Sequence, residues 1–430
     1  MKGGFYREIK TLNHHQIVKY RTDFEKTALQ SNFEKRKWQK TSSDTDWNFF
    51  WASVGTVRQI FNPEIGYRLA DNQIINHYPN HVELTRKDLM VKNLKRYRKD
   101  LEREGNPLGA RDSNGNYIYL DFIPATYNLP SDFSLWSEEF KRHNDDVWIL
   151  KPHGRAQGKG IVLANKFATV KRFVTQYGKG MRDTYIISKY INNPLLVGGK
   201  KFDLRLYVLV TNYRPLKIYF NKEGFARFCN VKYTSANNSN IDNMYIHLTN
   251  VAIQKHGEDY NDKHGNKWSF KHLMFWLEAT QGHEATKLLL HRILSIFVYQ
   301  CKAVQNVMIN DKHCFECYGF DIMIDKALKP WLIEVNASPS LTSTTHPDRI
   351  MKSNMVNDII ETVVPPDFPD TKITKGFTSW NQKPVIGNFT LIYDEATGFG
   401  VEKFLSKQQT KEKQQPMDNK VLRGQGSRWR

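Results

Sequence analysis

The sequence predicts a mixed α/β chain built from several packed units, and three observations carry that prediction. With 430 residues, 40% of them apolar, the chain has material for two or three cores of ordinary size. Strand-like runs crowd the stretch from Val147 to Asn336. Helical patterns lie before, among and after them: from Thr85, over Phe167–Tyr177, over 269–307 and over 347–363.

In chain order, residues 1–20 read as a polar lead-in without the apolar stretch of a secretory signal. Residues 21–124 form an N-terminal unit of mixed pattern with a basic helix at its centre. That helix begins near Thr85, which with Asp88 resembles a capping box. Leu89, Leu94, Tyr97 and Leu101 make its apolar stripe. Lys87, Lys92, Lys95, Arg96, Arg98, Lys99 and Arg103 make the other face, which a solvated surface helix would also show. A Gly, Asn and Asp-rich break follows at 103–116. The strand-rich part divides into a central unit, 125–200, and a C-terminal unit, 201–364. Its strands are VWILK (147–151), GIVLA (160–164), TYIISKYI (184–191) and FDLRLYVLV (202–210). Beyond Pro365 and Pro366 the composition turns polar and basic, so 365–430 is expected to be a tail, disordered in part from about Lys403.

A formal charge of +19 calls for an acidic partner: a nucleic acid, an anionic membrane, a nucleotide or an acidic protein. No apolar run approaches the roughly 18 residues of a membrane span. Four cysteines fit a reducing cytosol. Cys314 and Cys317 form a C-x-x-C, but in a strand their side chains point to opposite faces and no second pair completes a zinc site. Structural cysteines are expected.

Four segments carry chemistry. The first is a hairpin made by 319–325 and Pro330–Asn336 around a four-residue loop. Symmetric closure pairs Asp325 with Pro330 and sets Asp321 opposite Glu334, with Asn336 on the same face two positions on. Facing carboxylates repel, so this pairing calls for something to bridge them, and a hard cation such as Mg²⁺ prefers such oxygens. The second is WILKPHGRAQGKGIVL, where Gly154, Gly158 and Gly160 sit in a basic loop that could lie over phosphates. It is not a Walker loop, because a strand follows it. The third is GGKKFDLRLYVLV, which places Lys201, Asp203, Arg205 and Tyr207 on one strand face, either a phosphate-facing row or a wet sheet face. The fourth, HLTNVAIQK, offers His247, Thr249 and Asn250 as short polar ligands.

The order of these segments resembles that of the ATP-grasp fold. The phrases WILKPHGRAQGKGI, YINNPLLVGGKKFDLRLYVLV, HLTNVAIQK and WLIEVNASPSL resemble the tubulin tyrosine ligase-like family over roughly 44–358. Within it, NHVELTRKDLMVKNLKRYRK, DNMYIHLTNVAIQKHGEDYN and DKHCFECYGFDIMID look most like the catalytic subunit of the tubulin polyglutamylase complex.

The resemblance implies ATP and Mg²⁺, two ions, as cofactors, and a ligase that joins free L-glutamate to glutamates of acidic tubulin tails. It assigns Lys151, Gln157 and Gly158 to the phosphates. Ser188, Lys189, Tyr190 and Ile191 fall to the adenine, Lys201, Phe202, Asp203, Thr249 and Asn250 to the rest of the nucleotide, and Asp321, Glu334 and Asn336 to the metal. Arg227 and Lys267 match donor-binding positions, Gln157 also meets the acceptor, and Arg205 and His247 support catalysis. It further implies non-catalytic partner subunits, no nucleic-acid partner, and a place in the cytoplasm and cytoskeleton, at a cilium or flagellum, basal body or centriole. Rival readings are a glycine or tyrosine ligase of the same family and a non-catalytic microtubule-binding protein. A protein kinase is disfavoured because its HRD and DFG signatures are missing.

Overall fold

The computed structural model describes residues 16–154, 157–177, 184–236, 239–257, 266–343, 345–370, 373 and 383–402. Three sheets organise them. The first is parallel and four-stranded, ordered Gln39–Lys40, Lys19–Thr22, Phe49–Trp51, Ile74–Ile75. The second is antiparallel and four-stranded, ordered Thr126–Leu129, Tyr185–Lys189, Trp148–Pro152, Val162–Ala164. The third is nine-stranded. Its main path runs Pro330–Asn336, Glu316–Ile324, Lys200–Tyr213, Leu216–Phe228, Phe389–Asp394, Val385–Ile386.

Strand Lys200–Tyr213 is the spine. One face presents Phe202, Leu204, Leu206 and Val208 to a core shared with the helix His283–Gln305. The opposite face, charged at Lys201, Asp203 and Arg205, is buried too, so the wet-face alternative is excluded: Lys201 is 1% and Asp203 5% exposed. Farther along that face, Tyr207 and Leu209 join a second core with Met355, Val356 and Ile359 of helix His346–Val363.

Several expectations shift. The helical pattern over 269–307 is two helices, Phe270–Gln281 and His283–Gln305, broken at Gly282, whose φ of +87° ends the first. The basic helix is Lys87–Arg103, preceded by a short turn Val82–Thr85; its N-cap is Arg86, so Thr85 and Asp88 form no capping box. Asp88 instead accepts from Nε and one terminal nitrogen of Arg86, each at 2.8 Å. Part of the basic face is structural: Arg96 donates to Ala303 O at 3.2 Å, and Arg98 to Leu120 O. The lead-in is shorter than 1–20, since Lys19–Thr22 is a strand of the first sheet and Val18 and Tyr20 are buried in the core beside it. The segment after 365 is not wholly a tail. Phe389–Asp394 pairs with Leu216–Phe228 and buries Phe389 and Ile392. Residues 403–430, the basic end of that expected tail, lie outside the described residues. No helix among the described residues is long and apolar enough to cross a membrane.

Candidate active site

The second and third sheets face each other across a cleft. Lys151, Gln157, Gly158, Ser188, Lys189, Tyr190 and Ile191 line it from one side, and Lys201, Asp203, Asp321 and Glu334 from the other. His247, Thr249 and Asn250 complete the wall. Apolar surface comes from Met90, Val91, Ile149, Ile186, Met323 and Leu332. Phe202 is the exception among the nucleotide candidates: strand alternation turns it to the opposite face, against Phe228.

The hairpin brings Asp321 opposite Glu334 as expected, but by another route. Its turn is one residue longer, so Ile324 rather than Asp325 pairs with Pro330, and an irregularity between Asp321 and Ile322 restores the register. Nor does the carboxylate pair need a metal to exist. Lys87 Nζ lies 2.8 Å from Glu334 Oε2, and Arg205 grips Asp321 with Nε at 2.5 Å and a terminal nitrogen at 3.0 Å. Burial would raise the Glu334 carboxyl, but Lys87 above all, then Lys151 and Arg205, outweigh it and hold it well below the usual carboxylate range. Asn336 turns its amide nitrogen to Gly319 O at 3.2 Å and to Glu334 Oε1 at 3.4 Å.

Strand pairing spreads these charges along two neighbouring rungs of one sheet face. One rung runs Glu334, Asp321, Arg205; the next runs Asp203, Arg227, Lys267. Arg227 ties the rungs together, meeting Asp203 at 2.7 and 2.5 Å and Asp321 at 2.7 Å. Desolvation works against its charge, yet the two carboxylates more than offset it and raise its pKa. Lys267 meets Asp348 at 3.2 Å, and Lys352 meets the same carboxylate at 3.1 Å. Lys267 and Asp348 open onto a second, adjoining pocket with Phe225, Trp268, His272 and Trp276. Arg227 and Lys267 are thus neighbours across a strand pair, and both already have acidic partners within the chain.

Across the cleft, Lys201 Nζ donates to Tyr190 Oη at 2.8 Å and to His247 O at 2.9 Å. His247 Nδ1 lies 2.9 Å from the same Tyr190 oxygen, so the histidine acts on the wall's geometry. Burial pulls Lys151 and Lys201 each down to about 8. Gly158 has a φ of +79°, and a Cβ there would meet Ile253 Cδ1 at 2.5 Å, so a side chain at this position would be strained and would displace Ile253 beside Asn250. The N–H groups of Lys189 and Tyr190 are used by Ala125 O and Val147 O, both at 2.8 Å. They are therefore not available to read a base edge.

Sequence comparison supplies the family. The tubulin-tyrosine ligase family model matches residues 67–372. This chain belongs to the tubulin-tyrosine ligase family. It is an enzyme of the ligase class. It is 50% identical over 387 residues to "Probable alpha-tubulin polyglutamylase Ttll1" of Tetrahymena thermophila, covering 88% of this chain and 93% of that protein. Against "Probable tubulin polyglutamylase TTLL9" of Bos taurus it is 36% identical over 394 residues, 84% of this chain and 83% of the other. "Tubulin polyglutamylase TTLL5" of Homo sapiens is 33% identical over 335 residues, 75% of this chain but 24% of that longer protein.

In this family member the sequence reading missed Lys87 as a cleft residue. Its position at the start of an amphipathic helix made it one more surface lysine. The signal lay in the LTRKDL phrase already used for the resemblance. No group of three or more His, Cys, Asp or Glu gathers as a metal site among the described residues. The donor set of Asp321, Glu334 and the Asn336 carboxamide is nevertheless of the hard-oxygen type that Mg²⁺ shares with phosphates, and both carboxylates line the cleft.

Proposed function

We propose that this protein is an ATP-dependent tubulin polyglutamylase. It joins the amine of free glutamate to a glutamate carboxylate of an acidic tubulin tail, or of a chain already growing there. The reading rests on one convergence. The basic strand end, glycine hairpin, charged strand and carboxylate hairpin meet in one cleft, in a chain half identical to a relative so named.

The base would lie among Ile149, Ile186, Met323 and Leu332, with Lys151, Lys201 and the loop at Gln157 and Gly158 around the phosphates. Asp321, Glu334 and Asn336 would hold Mg²⁺, which when bound neutralises charge on the transferred phosphoryl group. A carboxylate is a poor electrophile, and a phosphoryl group taken from ATP makes it an acyl phosphate. The glutamate amine then forms the new amide bond, and phosphate leaves with the electron pair of the broken C–O bond. Lys151 supplies positive charge where the phosphoryl group carries negative charge.

Glutamate as donor is supported by the cations beside the adjoining pocket. Arg205 and Arg227 answer the carboxylates of Asp203 and Asp321, while Lys267 lines that pocket and shares Asp348 with Lys352. Two lysines around one carboxylate suit a donor that brings a second carboxylate of its own. The chain would work in the cytoplasm on the cytoskeleton, at cilium, basal body or centriole, together with non-catalytic partner subunits. Incubating purified tubulin with the protein, ATP and equal labelled glutamate and glycine, then reading the tails by mass spectrometry, tests the function. Glutamate incorporation is expected. Glycine or tyrosine incorporation would favour the sibling activities.

A further inference from the structure

A histidine outside the cleft touches the segment that leaves it. His77 follows the strand Ile74–Ile75 of the first sheet and is 1% exposed. Its Nδ1 lies 2.8 Å from Oε1 of Glu316, a carboxylate with no exposed surface. The other Glu316 oxygen accepts from Tyr78 N and Tyr318 Oη, both at 3.1 Å. These donors and the carboxylate hold the imidazole in one orientation. Its far nitrogen, Nε2, then lies 3.1 Å from Ser338 Oγ.

Ser338 is two residues beyond Asn336, in the segment that continues the carboxylate strand. That segment rides on the charged rung. A Cβ on Gly319 would lie 3.2 Å from Pro339 Cβ and 3.2 Å from Arg205 Cδ, so Pro339 packs directly over Gly319 beside the arginine that grips Asp321. The segment forms one wall of a cavity whose other walls include Trp51, Phe315, Cys317 and Met355, and Leu341 at its end packs against that core, so the hydrogen bond at Ser338 is the polar contact that supplements apolar packing. Ile75 N donates to His313 O, and Phe315 N to Ile75 O, which fixes the first sheet to the start of the Glu316 strand.

We propose that His77 is a positioning residue. From the buried pair Glu316 and His77, through the hydrogen bond to the exposed Ser338, it clamps residues 337–341, and so sets Asn336, Glu334 and the Asp321–Arg205 contact from the N-terminal sheet. The proposal rests on the reading that those residues bind magnesium and nucleotide. Ser338→Ala removes one hydroxyl from an exposed residue and leaves the fold alone. His77→Asn keeps a donor toward Glu316 and is too short for Ser338. Both variants should raise the Mg²⁺ concentration needed to bind a fluorescent ATP analogue by about fivefold, the worth of one neutral hydrogen bond. Their melting temperatures should stay near wild type, and the double variant should be no worse than either single one. Ser338→Thr, which keeps the hydroxyl, should restore binding.

Amide exchange without nucleotide reads the clamp separately, and residues 337–341 should exchange faster in both variants. Unchanged exchange in Ser338→Ala would overturn the clamp. Faster exchange with unaltered Mg²⁺ dependence would overturn its positioning role. Glu334→Gln, run alongside, tests the underlying site: if that variant binds Mg²⁺ and nucleotide normally, the site assignment itself has failed.

Discussion

Lys87 and Glu334 form an ion pair of 2.8 Å across the cleft, joining the first turn of the basic helix to the carboxylate hairpin. A cation of the protein therefore stands at the oxygen where a metal is proposed. Lys87 is 12% and Glu334 22% exposed, so the pair is only partly screened.

Glu334→Gln should abolish ligation and lower stability slightly. Facing carboxylates alone would make this change neutral or stabilising, but the ion pair reverses the sign. The folded carboxyl lies below its ordinary value of 4.5, so its contribution is present above that pH and is lost as pH falls through the folded value. A loss of about 1 kcal/mol at neutral pH is expected from a half-screened pair. Thermal melts with and without Mg²⁺ measure it, and a variant as stable as wild type at pH 7 but still inactive would refute the electrostatic half.

Lys87→Met should weaken ATP use and move the acidic limb of the pH profile upward. Removing the largest charge that depresses Glu334 lets its pKa rise, so activity fails at a higher pH than in wild type. The measurement is kcat/KM for ATP from about pH 3.5 to 7, a span that reaches below the ordinary glutamate value of about 4.3. An unmoved limb would separate Lys87 from the site.

At the alkaline end, kcat/KM for ATP should fall as pH rises through about 8, where Lys151 and Lys201 both lose their protons in the free enzyme. Phosphate binding favours the charged forms, so saturating ATP should carry the fall in kcat to higher pH. Lys151→Arg, which stays charged, should flatten the limb even if its activity is low.

Lys267→Ala is the clean probe of the donor pocket, and Arg227→Ala is not. Removing Lys267 leaves Asp348 still paired with Lys352, so the glutamate KM should rise about tenfold or more with little change in melting. Removing Arg227 strips a partner from two buried carboxylates, a change worth about 3–5 kcal/mol when a buried pair is broken. Normal glutamate kinetics in Lys267→Ala would remove this pocket from the donor assignment.

Microtubule binding should weaken with salt, and the helix residues should divide by exposure. Exposed Lys92 and Lys99 should flatten that salt dependence when neutralised together, without loss of stability. Arg98 bonds to Leu120 O and stacks 4.9 Å over the Tyr117 ring, so its removal should cost stability first. A salt profile untouched by the lysine changes would make this face merely solvated.

Much of the site could be read from the chain because its signals are local. Strand alternation alone puts Lys201, Asp203 and Arg205 on one face, and the hairpin brings Asp321 to Glu334 within 13 residues of chain, although a register irregularity beside Asp321 offsets a turn one residue longer than expected. The glycine at 158, the hairpin acids and the HLTN turn are each contiguous phrases. Less local features escaped. Strand Phe389–Asp394 follows a polar stretch that masked it, and its partner Leu216–Phe228, far away in sequence, makes it a sheet member.

By itself the sequence determined which residue types share a strand face, where the glycine loop lies and which family the chain resembles. Periodicity and short spacing survive without knowledge of the fold. The tertiary structure decided which charges meet. Lys87 on Glu334, Arg227 between Asp203 and Asp321, and His77 on Ser338 join residues distant along the chain. Ion pairs and hydrogen bonds act over a few ångströms in space, and separation along the sequence carries no information about that distance.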